Sequence, residues 1–127
     1  MTELLPRARE IASFLGVPES EALARLALGF GHQHQAINDD YRRAGITPDA
    51  AGNADPVELL NWYRTTEQYI WELTAYHLDA GFNYSGMCDG IIARLRNAGA
   101  RRVLCLGDGI GDLTLSLQQA GFEAVYH

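Results

Sequence analysis

The chain has 127 residues, of which 47% are hydrophobic and 20% charged, and its formal net charge is −6 at pH 7. This length and apolar content predict a globular protein with its own core, and the negative charge argues against a nucleic-acid or membrane-surface partner. All ten basic residues are arginines, so a phosphate-loop lysine and a Schiff-base lysine are excluded. Two widely separated cysteines indicate no disulfide framework. Because no apolar run reaches membrane-span length and the first residues lack a signal-peptide core, we expect a cytoplasmic protein.

The first hundred residues are predicted to be helical. Apolar residues recur at three- and four-residue spacing over 4–15 and again over 23–41, and a glycine follows each stretch. Gly29 and Gly31 interrupt the second stretch and predict a kink or a break there. His34 lies on the apolar stripe of that stretch, so we expect a hydrogen-bonded core histidine. His32 and His34 would face about 200° apart on a helix, so we expect no metal site.

A capping sequence opens the next helix. Asp55 is a good N-cap, Pro56 suits the first helical position and Glu58 resembles the acid of a capping box. The apolar pattern predicts one continuous helix over 56–80 with apolar groups on two faces, both of which need cover. A shorter helix is predicted over 85–98.

Three glycines at alternate positions then follow an apolar run. The sequence from Val103 to Asp112 reads VLCLGDGIGD, which predicts a strand over 102–106, a tight turn and a helix over 112–120, with a second strand over 123–126. A dinucleotide fingerprint requires Gly or Ala at position 112, and an aspartate there would repel a pyrophosphate. The spacing and the charge therefore argue against a dinucleotide.

This glycine pattern resembles motif I of the class I S-adenosylmethionine (SAM)-dependent methyltransferases, and the resemblance covers about 25 residues, from Arg102 to His127. Cys105 stands where that family usually carries an acid, while Asp108 lies between the glycines. We interpret Cys105 as a small buried strand residue. The resemblance implies that 101–127 begins a Rossmann-like SAM-binding domain. It also implies that the helical region 1–100 is a lid, substrate or dimerisation region ahead of it.

The resemblance also supplies the candidate site. The SAM-contacting residues it implies are Gly107, Asp108, Gly109, Ile110, Gly111 and, from the loop before the last helix of the helical region, Tyr84. The methyl acceptor is expected to be a small molecule. No catalytic residue is identified, and His77 is a weak candidate base because a histidine titrates near neutrality.

Several expectations concern what surrounds this site. In nucleotide-binding α/β folds an acid about 20 residues after the glycine turn holds the ribose, and that position falls at or beyond His127. We therefore expect the N-terminal part of a methyltransferase, inactive as it stands, and a homodimer in which one copy covers the other's incomplete sheet or long helix. Two alternatives remain open: a fragment of a nicotinamide- or flavin-dependent oxidoreductase, and a non-enzymatic helical interaction module.

Overall fold

The computed structural model describes residues 4–127 and is mostly helical, with one small parallel sheet. Its elements in chain order are α1 (Leu4–Leu15), α2 (Glu19–Ala27), α3 (Gly29–Arg43), α4 (Pro56–Thr65), α5 (Gln68–Leu78), α6 (Tyr84–Asn97), β1 (Arg102–Cys105), α7 (Asp112–Gln119) and β2 (Glu123–Tyr126). The described residues form two compact units, a helical unit that runs to Leu78 and an α/β unit from Asp79 to His127. The α/β unit therefore includes α6 as well as the β-α-β segment. Nowhere in 4–127 is a helix both long and apolar enough to cross a membrane.

Helices α1 and α2 pack against each other and are joined by a short turn. Ala8 and Ala22 are fully buried where the two helices pack. Gly16 ends α1 with a φ of 71°, and the amides of Gly16 and Val17 both donate to the carbonyl of Ala12 at 2.9 and 3.1 Å. These bonds satisfy a carbonyl that the helix end leaves free.

The predicted interruption near Gly29 is a break between two helices. Helix α2 ends at Ala27 and α3 begins at Gly29, which has a φ of 80°. A left-handed backbone suits glycine because a Cβ is disfavoured there. Helix α3 packs against α5.

The prediction of one continuous helix over 56–80 is wrong. Helix α4 ends at Thr65, Thr66 is extended with φ −100° and ψ 146°, and α5 begins at Gln68. The Thr66 hydroxyl accepts a hydrogen bond from the Gln68 amide at 3.1 Å and donates one to the Asp40 carboxylate at 2.8 Å. Threonine hydroxyls compete with helical backbone bonding in this way. The start of the segment agrees with the prediction, since Asp55 caps the amides of Val57 and Glu58.

The expectation that His34 belongs to the core is also wrong. Its side chain is 56% exposed, although its Nδ1 lies 2.6 Å from the Glu72 carboxylate. The side chain packs its ring against Phe30 at a centroid distance of 5.6 Å. A buried glutamine, Gln33, takes the inward position on this turn of α3 instead.

The α/β unit contains a β-α-β segment, and α6 packs beside α7. Strands β1 and β2 run parallel, and their register pairs Val103 with Ala124 and Cys105 with Tyr126. The core on one face of this sheet contains Cys105, Leu117, Phe122 and Ala124, with Ile92 and Leu95 of α6 packed against it. The bounds of β2 agree with the prediction, while β1 ends one residue earlier than predicted.

The other face of the sheet is bare. Leu104 and Val125 are register partners on that face and are 61% and 60% exposed. Leu106, the residue after β1, is 69% exposed. Parallel sheets are normally covered on both faces, so this surface is an unusual feature for an α/β unit.

Candidate functional site

The glycine turn occupies the carboxyl end of β1 and leads directly into α7. Gly107, Gly109 and Gly111 have φ values of 63°, 61° and 83°, so each requires the left-handed backbone that a side chain disfavours. A Cβ added at Gly107 or Gly111 would meet no atom within 4 Å. The backbone conformation, and not crowding by the protein, therefore demands glycine at these two positions, and the space beside them is open.

Asp108 fills the amino end of α7. Its carboxylate accepts hydrogen bonds from the amides of Leu113 at 3.2 Å and Thr114 at 2.6 Å, and from the Thr114 hydroxyl at 2.6 Å. The residue in the N-cap position is Gly111, which has no side chain to perform this role. A carboxylate at a helix amino end satisfies free amides and interacts favourably with the helix dipole.

Residues at the end of β2 hold the turn from the neighbouring strand. The amide of Gly107 donates to the carbonyl of His127 at 3.2 Å, and the amide of His127 donates to the carbonyl of Cys105 at 3.0 Å. The Tyr126 hydroxyl donates to the carbonyl of Gly109 at 3.1 Å. The turn is thus fixed at the carboxyl edge of the sheet, the edge at which open α/β sheets bind their ligands.

Helix α6 brings a phenol and a thiol to the same region. Burial, the Cys88 thiol and the Asp108 carboxylate raise the pKa of Tyr84 above its ordinary value. Burial also raises the pKa of Cys88, although hydrogen bonds with Tyr84 and Ser116 act in the opposite direction. At neutral pH both groups carry their protons, so Tyr84 is a neutral hydroxyl beside the turn.

The turn region is negatively charged. Asp108 and Asp112 both contribute electrostatically at Tyr84 and Cys88. The four basic residues of the α/β unit are Arg94, Arg96, Arg101 and Arg102. Of these, Arg96 donates to the carbonyl of Ala120 at the opposite end of α7 at 3.0 Å. A ligand that carries positive charge is favoured at such a turn.

The structure brings together most of the residues that the sequence nominates. Ile110 and Tyr84 are both half-buried, Tyr84 opening α6. Cys105 is buried in β1 at 6% exposure, which confirms its interpretation as a buried strand residue. His77 lies in the last turn of α5, in the helical unit, where its ring contacts Tyr76 at a centroid distance of 5.7 Å. Its candidacy as a base stays a prediction.

Sequence reasoning missed two features of the site. The first is the capping of α7 by Asp108. The sequence feature that could have indicated it is an acid three residues before Gly111, the N-cap residue. The second is the contact of Cys88 and Ser116, which lie 28 positions apart and meet only because α6 packs beside α7. Within residues 4–127, no three of the His, Cys, Asp and Glu side chains are grouped as metal ligands would be.

Comparison with known proteins gives no relatives: no protein-family profile, curated protein or solved structure matches this chain.

Proposed function

We propose that the glycine turn 107–111 binds the methionyl part of SAM, and that the chain belongs to a SAM-dependent methyltransferase acting on a small-molecule acceptor. The observation that carries the proposal is the left-handed backbone at Gly107, Gly109 and Gly111, directly after a parallel strand and before a helix. Such a turn allows close approach of a ligand to the backbone. The open space beside Gly107 and Gly111 supports it.

Charge favours SAM over a dinucleotide. SAM carries a sulfonium and an ammonium against one carboxylate, whereas a dinucleotide brings a negatively charged pyrophosphate. Asp108 already occupies the free amides of α7, which are the groups that hold pyrophosphate in dinucleotide-binding folds. This argues against the oxidoreductase alternative.

The charges of the residues at the turn fit SAM, although the acid is at position 108 and not at position 105. Cys105 is buried in the strand and its thiol cannot replace a carboxylate as an acceptor. Asp108 supplies a carboxylate three residues after Cys105, within the turn. Tyr84 adds a neutral hydroxyl and an aromatic face. An aromatic face attracts a sulfonium through its quadrupole.

When bound, SAM would supply the methyl group as an electrophile. The contribution of these residues would be to hold it in one orientation, because many methyl transfers need alignment of the nucleophile with the sulfonium more than a base.

The proposal is tested by NMR titration of the 127-residue chain with SAM and, separately, with NAD. We expect saturable shifts of the Gly107, Gly109 and Gly111 amides with SAM alone. Gly109→Val places a branched side chain in the ligand space and should abolish the SAM response. Gly52→Val is the control, because Gly52 also has a positive φ (84°) but lies in the helical unit. Shifts of equal size with NAD, or an unchanged SAM affinity in Gly109→Val, would contradict the proposal.

We also propose that the bare sheet face pairs with the same face of a second copy. Leu104 and Val125 form its apolar centre. Arg102 and Glu123 flank it, with their charged groups 3.4 Å apart and their side chains 86% and 77% exposed. A two-fold axis parallel to the strands places each Arg102 opposite a Glu123 of the other copy, so the face is complementary to itself. This supports a homodimer. It also leaves the non-enzymatic dimerisation module as the second candidate function.

A further inference from the structure

The helical unit contains a cavity of about 530 Å³ that the proposed SAM site does not use. It opens where the ends of α2, α3 and α4 approach the start of α5. Its lining is mostly polar and comprises Arg25, Asp40, Arg43, Ala44, Trp62, Thr65, Thr66, Glu67 and Gln68. The charged groups of this lining decide what it can bind.

Asp40 is already satisfied by the protein. Its carboxylate accepts hydrogen bonds from the Trp62 indole at 2.8 Å, the Thr66 hydroxyl at 2.8 Å and the Arg43 guanidinium at 3.0 Å. Burial alone would raise the pKa of Asp40, but these three donors hold it below its ordinary value. The carboxylate is therefore ionised at neutral pH and its lone pairs are largely committed.

Arg25 is in the opposite situation. Its Nη2 donates to the Gln68 side-chain oxygen at 2.5 Å, and its guanidinium lies 4.3 Å from the ring centre of Trp71. Among the residues that the structure describes, no carboxylate lies within ion-pair distance of it. The side chain is half-buried, and the Glu21 and Glu67 carboxylates favour its charged form from beyond ion-pair distance. A guanidinium has five N–H donors, and the bond to Gln68 uses one of them.

The orientation of Gln68 is fixed by a second glutamine. The Gln68 side-chain nitrogen donates to the side-chain oxygen of Gln33 at 3.2 Å, and the Gln33 nitrogen donates to the carbonyl of Arg25 at 2.7 Å. Gln33 and Gln68 are only 1% and 9% exposed. This closed set of bonds presents an oxygen to Arg25 and holds the guanidinium in place at the cavity wall.

We propose that the cavity binds a small organic monocarboxylate, whose two oxygens pair with the Arg25 guanidinium. Arginine presents parallel N–H groups that match a carboxylate. The charged lining groups are two arginines, Arg25 and Arg43, and two acids, Asp40 and Glu67, so their charges cancel and a monoanion is favoured over a dianion. Burial lowers the pKa of Arg25, while the position of Arg25 in the last turn of α2 favours the cation.

The test is an NMR titration of the 127-residue chain with butyrate, at constant ionic strength, observing the Trp62 indole N–H. Because that N–H donates to Asp40 at the cavity wall, we expect a saturable shift. Arg25→Gln should weaken butyrate binding about tenfold, since a charged hydrogen bond is lost. Glu67→Gln should strengthen it about threefold, because it removes a like charge at the cavity.

Arg42→Gln is the matched control. Arg42 neighbours Arg43 in sequence, does not line the cavity and pairs with Asp39 at 2.8 Å, so its variant should bind butyrate as the parent does. If Arg25→Gln does not fold, Arg25→Lys tests the same point, since it keeps the charge and loses the parallel donors. An unchanged affinity in the folded Arg25 variant, or equal binding of inorganic phosphate, would overturn the proposal.

Discussion

The Asp108 carboxylate lies 2.6 Å from both the amide nitrogen and the hydroxyl oxygen of Thr114. This single side chain ties the glycine turn to the first turn of α7. It also places a negative charge where a nucleotide-binding fold usually receives a phosphate. The stability of the turn and its charge therefore depend on the same residue.

Removing this cap should destabilise the α/β unit. We expect Asp108→Ala to lower the free energy of unfolding by about 1–2 kcal/mol, because Leu113 and Thr114 lose their acceptor. Urea denaturation measures the change. Asp89→Ala, an exposed aspartate on α6, is the control and should shift it by less than about 0.5 kcal/mol. Equal losses in both variants would mean that the capping bonds contribute nothing.

Two glycine-to-alanine substitutions should change the free energy of unfolding in opposite directions, because only one of the two glycines has a left-handed backbone. Gly107→Ala should destabilise by about 1 kcal/mol, because its φ of 63° is unfavourable for a residue with a Cβ. Gly90→Ala should stabilise by up to about 1 kcal/mol, because Gly90 lies inside α6. A Cβ meets nothing within 4 Å at either position. Thermal unfolding should give a lower melting temperature for Gly107→Ala and a higher one for Gly90→Ala. A higher melting temperature for Gly107→Ala would contradict the positive φ at Gly107.

The helical unit should lose stability in acid through Asp40. The folded state lowers the pKa of this carboxyl below its ordinary 3.8, so its contribution is fully present above about pH 4 and is lost as the pH falls through the folded pKa. Asp40→Asn should therefore cost about 1–3 kcal/mol at pH 7. The difference in the free energy of unfolding between Asp40→Asn and the parent chain should become smaller at about pH 2–3.

Asp39→Asn is the matched control for that experiment. Asp39 is 48% exposed and pairs with Arg42 on the surface of α3, so its loss should change stability by less than about 1 kcal/mol. Unfolding curves at several pH values give the comparison. A constant gap between Asp40→Asn and the parent at every pH would refute the role of ionised Asp40.

The bare sheet face predicts self-association. Sedimentation of the parent at micromolar concentration should give twice the chain mass of 14.0 kDa. Leu104→Glu should give a monomer, because it places a charge in the centre of the apolar contact. Phe14→Glu removes an apolar side chain that is 75% exposed on α1 and should leave the dimer intact. A monomeric parent, or a dimer that survives Leu104→Glu, would disprove the pairing.

The sequence by itself determined those parts of the protein whose causes are local. The helix over 4–15, the cap at Asp55 and the strand over 123–126 follow from apolar spacing and end residues. The same is true of the glycine turn, because each positive φ needs only the residue itself to be glycine. The candidate SAM site was predictable to this extent.

Tertiary structure decided what depends on residues distant in sequence. The break between α4 and α5 needs the bond from Thr66 to Asp40, 26 positions away, which no periodicity contains. Gln68, which accepts a hydrogen bond from Arg25, lies 43 positions from it. No sequence pattern therefore predicts the cavity of the helical unit. Apolar spacing predicts which side of a helix is buried. Only the packing of the helices determines which polar groups from different helices come into contact.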